Sequence, residues 1–169
     1  MDRPLTAGDD PLERVLRSYE AYYTVSREAS PPFAARAVFH AHGEGYFLTR
    51  RAKFAELDSH EYAFFARVPV LTPEGVRDLA RRAWEEGLAG IDPAPNHRAS
   101  DVLLLILTDN LTPEAERALR RTRLARSYRL GLRGYSHLRL AAMEPATLRA
   151  AANPMGAGLV KHLRAVLKG

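Results

Sequence analysis

The chain has 169 residues, of which 46% are hydrophobic and 27% charged, and it contains no cysteine. These values are typical of one globular domain with a single core, and the lack of cysteine excludes disulfides, thiolate metal sites and cysteine nucleophiles. Residues 1–100 carry 13 basic and 15 acidic residues, a net charge of −2, whereas residues 101–169 carry 12 and 5, a net charge of +7. We therefore expect any basic partner surface to lie in the C-terminal part.

We predict one domain over residues 1–169, with residues 1–9 as a flexible N-terminal tail. The longest strongly apolar run, residues 102–107, has six residues, whereas a membrane-spanning helix needs about 20. The first residues show no basic segment followed by an apolar stretch, so the sequence predicts no secretory signal. A cytoplasmic protein without membrane contact is expected.

Three helix starts are indicated by a residue that can accept a backbone N–H, followed by a proline. They are Asp10-Pro11, Thr72-Pro73 and Thr112-Pro113. Proline suits the first position of a helix, and acidic residues nearby interact favourably with the positive end of the helix dipole. The first of these helices is predicted to span about 11–26, and a fourth helix is predicted at about 157–168.

Six strands are predicted from alternating or continuous apolar patterns. They are expected at about 34–42, 45–51, 61–68, 102–107, 128–132 and 138–142. The strand at 102–107 is apolar throughout, so it is expected to be buried on both faces near the centre of the sheet. With the helices, the order is αβββαβαββα. This order predicts an α+β fold with a mixed sheet of about six strands covered by about four helices.

The basic excess is concentrated between Arg117 and Arg139, where the chain has eight arginines and no acidic residue. A three-residue loop at 134–136 would pair residue 132 with 138 and residue 133 with 137, which keeps the leucines of both strands on one face. The opposite face is then predicted to present Arg129, Arg133, His137 and Arg139 together.

This face and the end of the preceding helix form the predicted polyanion-binding surface. Guanidinium groups bind phosphate bidentately, and an aromatic ring at the turn can stack on a base. The predicted residues are Arg120, Arg123, Arg129, Arg133, Tyr135, His137 and Arg139. An alternative explanation is that these arginines only stabilise a helix dipole and pair with carboxylates elsewhere in the fold.

Several segments resemble those of a family of small bacterial proteins classed as a domain of unknown function. They are AVFHAHGEGYFL at 37–48, EYAFF at 61–65 and GYSH at 134–137. The resemblance covers most of the chain. It implies no particular activity, because the family has none assigned.

The order of elements also resembles restriction-endonuclease-like folds, in which the second and third strands carry an acid and then Glu-x-Lys. Here Ala63 stands where the lysine is expected after Glu61, and residues 46–50 contain no acid. A degenerate or displaced nuclease site would instead use Glu44, Lys53 and Glu61. Two carboxylates and a lysine are the groups that magnesium-assisted phosphodiester cleavage requires.

Other classes of site are disfavoured. His40 and His42 would share one face of a strand, but no third ligand follows at a recognisable spacing, so we predict no metal and no cofactor. The motifs of serine hydrolases, dinucleotide-binding folds and phosphate-binding loops are absent from the sequence. The sequence therefore favours a non-catalytic binding or interaction module over an enzyme. A small homo-oligomer whose arginines bridge chains is a further alternative.

Overall fold

The computed structural model describes residues 10–40, 58–90, 97–128 and 134–168. In chain order, the elements of this part are α1 (Pro11–Tyr19), β1 (Tyr23–Ser26), β2 (Ala35–His40), β3 (Asp58–Leu71), α2 (Pro73–Ala89), β4 (His97–Leu111), α3 (Pro113–Arg121), β5 (Ala125–Ser127), β6 (Tyr135–Met143), β7 (Ala150–Ala152) and α4 (Ala157–Leu167). A short 3-10 turn, Pro154–Gly156, leads into α4. None of the described helices has the length and apolar character needed to cross a membrane.

All seven strands of the described residues belong to one mixed sheet, in which six follow the order β1-β2-β3-β4-β6-β5 and β7 pairs with β6. The first three strands are antiparallel neighbours, whereas β3, β4 and β6 run parallel to one another. Both β5 and β7 pair antiparallel with β6, on the edge that faces away from β4. The predicted α+β class, with a mixed sheet of about six strands and about four helices, is confirmed.

Helices cover both faces of the sheet. The α2/α3 face consists of even-numbered residues of β3, β4 and β6, such as Phe64, Leu104 and Leu138, which belong to one core cluster with residues of α2 and α3. The α1/α4 face consists of odd-numbered residues of these strands, such as Phe65 and Leu105, which belong to a second cluster with residues of α1 and α4. Every residue from 102 to 107 is buried, which confirms the prediction of a central strand.

The three predicted helix starts are confirmed, and each uses the expected side chain. The Asp10 carboxylate accepts the Glu13 N–H at 3.2 Å. Thr72 Oγ1 and Thr112 Oγ1 each accept the N–H three residues further on, both at 3.1 Å. The proline at the first helical position has no N–H that needs a partner. The capping side chain accepts the N–H of the third helical residue, which has no partner inside the helix.

The first helix ends at Tyr19, earlier than predicted. Residues 23–26 form β1, which pairs antiparallel with β2. Tyr23 and Val25 pack on the core of the α1/α4 face, and Thr24 between them is exposed. The side chains thus follow the period of two of a strand, whereas the sequence predicts a helix here. The strand predicted at 45–51 lies outside the described residues.

The predicted register of the last hairpin is wrong. His137 pairs with Ala125, and Tyr135 pairs with Ser127, so residue 137 does not pair with 133. The physical reason is that Leu124 packs against the core of the α2/α3 face and its carbonyl accepts the Leu138 N–H at 2.9 Å. The edge strand therefore begins directly after α3. Arg129 and Arg133 lie outside the described residues.

Candidate functional site

The predicted polyanion-binding residues occupy two different parts of the fold. Arg120 lies on α3 and Arg123 on the link to β5, and both are exposed. Tyr135, His137 and Arg139 lie on β6, where odd-numbered residues belong to the α1/α4 face. The β6 residues are therefore separated from those of α3 by the sheet itself. Glu44 and Lys53 lie, like Arg129 and Arg133, outside the described residues.

Two arginines of α3 pair with carboxylates of their own helix. Arg117 lies 3.3 Å from Glu114, and Arg120 lies 3.4 Å from Glu116. Glu116 is closer to Arg149, at 3.0 Å, so its carboxylate is shared. The Arg117–Glu114 pair is exposed on both sides, and such pairs contribute about 0–1 kcal/mol, whereas the Glu116 side chain is only 18% exposed. A phosphate can therefore replace Glu114 as the partner of Arg117 at little cost.

Three further arginines differ, because they form no ion pair with any carboxylate in the described part of the chain. They are Arg121, Arg123 and Arg126, which follow one another from the end of α3 into β5, and all three are exposed. We call them the basic edge. The Arg126 guanidinium lies 5.5 Å from the centre of the Tyr128 ring, a cation–π contact.

Arg121 and Arg126 belong to the eight arginines that the sequence indicates as possible phosphate ligands, but they are not among the seven predicted site residues, although the sequence gives a signal for Arg121. Arg117 and Arg120 each have a glutamate three or four residues earlier, whereas the corresponding positions before Arg121 are Ala118 and Arg117. Residues at this spacing are neighbours on a helix surface. The position of Arg121 therefore predicts a guanidinium without an intrahelical partner.

A shallow groove between α2 and α3 extends the basic edge. Its lining includes Arg77, Arg117 and Arg121, with Glu114 as its single acidic residue among those described. Arg77 pairs with Glu74 at 3.4 Å, and both side chains are mostly exposed. Positive charge thus dominates the groove, and its ion pairs are of the weak, solvated kind.

A second charged group lies on the α1/α4 face. Glu61, Asp101 and His137 are neighbours in one row across β3, β4 and β6. The Arg139 Nη1 lies 3.7 Å from Glu61 Oε1 and 3.9 Å from Asp101 Oδ2, and His137 Nδ1 lies 3.9 Å from Asp101 Oδ1. We call these four residues the charge cluster. Arg139 and His137 therefore face carboxylates of their own chain.

Burial shapes the electrostatics of the charge cluster. Desolvation raises the pKa of Asp101, and the Arg139 guanidinium opposes that change. The Tyr23 hydroxyl donates to a Glu61 oxygen, and burial together with this carboxylate raises the pKa of Tyr23. The described residues include no group of three His, Asp or Glu side chains that could hold a metal ion. The arrangement links four strands through charge and hydrogen bonding.

Comparison with known proteins gives one match. The model of a family described as Domain of unknown function (DUF8052) matches residues 8–165. No curated protein and no solved structure matches the chain. The match confirms the resemblance to a domain of unknown function that the sequence indicated, and it spans all described strands.

Proposed function

The chain belongs to the family Domain of unknown function (DUF8052), and from its own geometry we propose that it is a non-catalytic module that binds a polyanion. The proposed ligand is the phosphate backbone of a nucleic acid. The proposed contact surface is the basic edge, together with the arginines of the groove between α2 and α3.

The observation that carries this proposal is that no arginine of the basic edge forms an ion pair with a carboxylate of the described residues. Arg121, Arg123 and Arg126 lie within six residues of one another, are exposed, and pair with no described carboxylate. Like charges held close together repel one another unless a partner neutralises them. A chain of phosphates supplies several negative charges in succession and matches such a surface.

The weak ion pairs beside the basic edge add to this surface. Arg117 exchanges the exposed carboxylate of Glu114 for a phosphate at a cost of about 0–1 kcal/mol, and Arg120 leaves Glu116 with Arg149 as its closer partner. Each phosphate that an arginine neutralises releases condensed counterions from the nucleic acid, which favours binding at low salt. The weak pairs therefore keep the arginines available.

The predicted polyanion-binding residues fall into two groups, one on the proposed contact surface and one in the charge cluster. Arg120 and Arg123 belong to the proposed surface, and Arg129 and Arg133 stay candidates for it on sequence grounds. His137 and Arg139 are assigned to the charge cluster, because both lie within 4.0 Å of a carboxylate on the α1/α4 face.

The test is a triple variant of the basic edge, Arg121→Ala, Arg123→Ala and Arg126→Ala. Binding to a labelled DNA fragment is measured by fluorescence anisotropy over a series of salt concentrations. We expect weaker binding and a plot of log affinity against log salt that is less steep by about 2–3, since each phosphate contact contributes about 0.9 to the slope.

A matched control removes the same charge elsewhere. Arg17, Arg36 and Arg164 are exposed and lie on α1, β2 and α4. Their triple alanine variant should keep the slope and most of the affinity of the wild-type chain. Equal losses in the two variants would mean that only net charge matters, and a wild-type chain that binds no DNA would remove the proposal.

One observation favours the alternative, a displaced-site nuclease. Glu61 and Asp101 are direct neighbours on the parallel strands β3 and β4, and paired carboxylates are a minimal magnesium site. Against it, the Arg139 guanidinium already lies within 4.0 Å of both carboxylates. Magnesium-dependent plasmid cleavage that is lost in Glu61→Ala would support a nuclease, whereas no cleavage by the wild-type chain excludes it.

A further inference from the structure

Tyr135 is an aromatic residue that the fold leaves accessible at the first position of β6. Half of its surface, 50%, is exposed. Its ring lies nearly parallel to that of His137, with the two centres 6.4 Å apart and 25° between the planes. This offset stack holds the tyrosine ring against the sheet while much of the side chain faces solvent.

The charge cluster lies beside this stack. His137 Nδ1 faces Asp101 at 3.9 Å, and Asp101 in turn faces Arg139. The Arg139 Nε also donates to the Met155 carbonyl at 3.3 Å. The Tyr135 ring thus already lies against the imidazole in the chain without a ligand. A preorganised aromatic group loses less entropy on binding.

Tyr135 lies next to the basic edge in the sheet. Its partner on β5 is Ser127, and the adjacent residue Arg126 pairs with Ser136. Arg126 belongs to the α2/α3 face and Tyr135 to the α1/α4 face of the same two-stranded edge, by the alternation of side chains along a strand. Guanidinium groups and an aromatic ring are thus presented on the two sides of one narrow edge.

We infer, on the basis of the proposed polyanion binding, that the ligand is a single-stranded nucleic acid whose unpaired base stacks on Tyr135 while its phosphates contact the basic edge. In a duplex, the bases are stacked on one another and offer no free face to a protein ring at the surface. A single strand exposes both its phosphates and the faces of its bases, and aromatic rings beside a basic track are how proteins bind it.

The experiment compares three ligands by fluorescence anisotropy. They are a labelled single-stranded oligothymidylate, a labelled duplex of equal length, and heparin as an unlabelled competitor without bases. The variants are Tyr135→Ala, Tyr135→Trp, which keeps a stacking surface, and Tyr22→Ala as a control. Tyr22 is 64% exposed and lies beside β1, at the opposite edge of the sheet.

We expect Tyr135→Ala to weaken binding of the single strand by roughly 5- to 150-fold, the loss of one stacked base, and to leave duplex and heparin binding unchanged. Tyr135→Trp and Tyr22→Ala should bind the single strand like the wild-type chain. Because Tyr135 is half-exposed, its replacement is not expected to unfold the sheet.

The outcomes separate this inference from the proposed function. An unchanged affinity of Tyr135→Ala for the single strand, or an equal loss for single strand and duplex, overturns base stacking. If the basic-edge triple variant still shows a reduced salt slope, the proposed polyanion binding stands without it. A wild-type chain that binds none of the three ligands overturns both.

Discussion

A single buried amide, that of Asn153, completes the edge of β6. Asn153 is 2% exposed. Its Oδ1 accepts the Leu140 N–H at 3.0 Å, and its Nδ2 donates to the carbonyls of Leu138 at 2.8 Å and Thr122 at 3.1 Å. The short strands β5 and β7 pair with β6 on either side of this point. The asparagine side chain therefore satisfies backbone groups that a continuous neighbouring strand would otherwise bind.

Replacing Asn153 with alanine should destabilise the fold strongly. The change leaves a buried N–H and two carbonyls without these partners, and each unsatisfied group costs about 1–3 kcal/mol. We expect the free energy of unfolding, measured by urea denaturation, to fall by about 3 kcal/mol or more. Asn110→Ala, at an exposed asparagine, should change it by no more than about 0.5 kcal/mol. A loss below about 1 kcal/mol for Asn153→Ala would contradict this role.

Neither Asn153 nor its neighbour Gly156 could be recognised from the sequence as structural. The partners of Asn153 lie 13, 15 and 31 residues away, so no local pattern indicates them. Gly156 stands directly before the last helix, where a glycine by itself indicates only a flexible entry. In the structure a Cβ at this position would overlap the Leu140 carbonyl, so the residue is needed for a close approach to β6.

Among the elements, α2 and α3 begin with the same residues but differ in what their caps contact. Thr72 Oγ1 accepts one hydrogen bond from its helix and is exposed. Thr112 Oγ1 accepts the equivalent bond and also donates to the Leu71 carbonyl at 2.8 Å, at the end of β3. The second cap therefore also ties α3 to the neighbouring strand.

The two threonines form a matched pair for mutation. Thr72→Ala should lower the free energy of unfolding by about 1 kcal/mol, the usual value of an N-cap. Thr112→Ala should cost about 1 kcal/mol more, because a second hydrogen bond is lost. Thermal or urea unfolding of both variants measures the difference. Equal costs would show that the bond to Leu71 contributes nothing measurable.

Helix starts could be predicted better than helix ends. A cap and a proline are local signals, and all three predictions based on them are confirmed. The end of α1 depends on residues 23–26, of which Tyr23 follows Tyr19 at a spacing compatible with the preceding helix. Only pairing with β2 decides between helix and strand there, and that partner is distant in sequence. Tertiary pairing outweighs local pattern in such a segment.

For the whole molecule, stability should decrease as the pH falls below neutrality. His162 on α4 lies 2.9 Å from Ser18 Oγ on α1, and its ring packs against Tyr19. Burial lowers the pKa of His162 from 6.5. The unfolded chain therefore binds this proton more readily, so the contribution of His162 to stability is complete above pH 6.5 and is lost as the pH falls through its folded-state pKa.

The measurement is urea denaturation at about pH 7.5 and about pH 5.5. His162→Gln keeps a hydrogen-bonding group near Ser18 but cannot titrate, so its pH dependence should be smaller than that of the wild-type chain. The same pH dependence in both proteins would assign the effect to other groups.

A second loss of stability is expected below pH 4.5, because the Leu111 N–H and the Thr147 hydroxyl hold the pKa of Glu144 below that value.

The global architecture could be predicted because its determinants are local or strongly apolar. The continuous apolar residues 102–107 predict the central strand, and the capping residues predict the helices around it. The site was harder to predict, since its geometry depends on the register of one short hairpin. The packing of Leu124 against the core fixes that register, and no turn rule indicates it. Pairing across the sheet also determines which arginines lie close to a carboxylate. Arg139, for example, lies within 4.0 Å of Glu61 and Asp101.

The parallel centre of the sheet has a consequence for synthesis on the ribosome. Tyr62 pairs with Val102, and Leu104 pairs with Leu140, so each contact joins positions separated by about 40 residues. A nascent chain that has been made only as far as α3 contains the most apolar strand but lacks the partner for one of its edges. Until β6 emerges, that edge is a template for intermolecular pairing. Translation of the last third of the chain is thus the interval in which aggregation competes with folding.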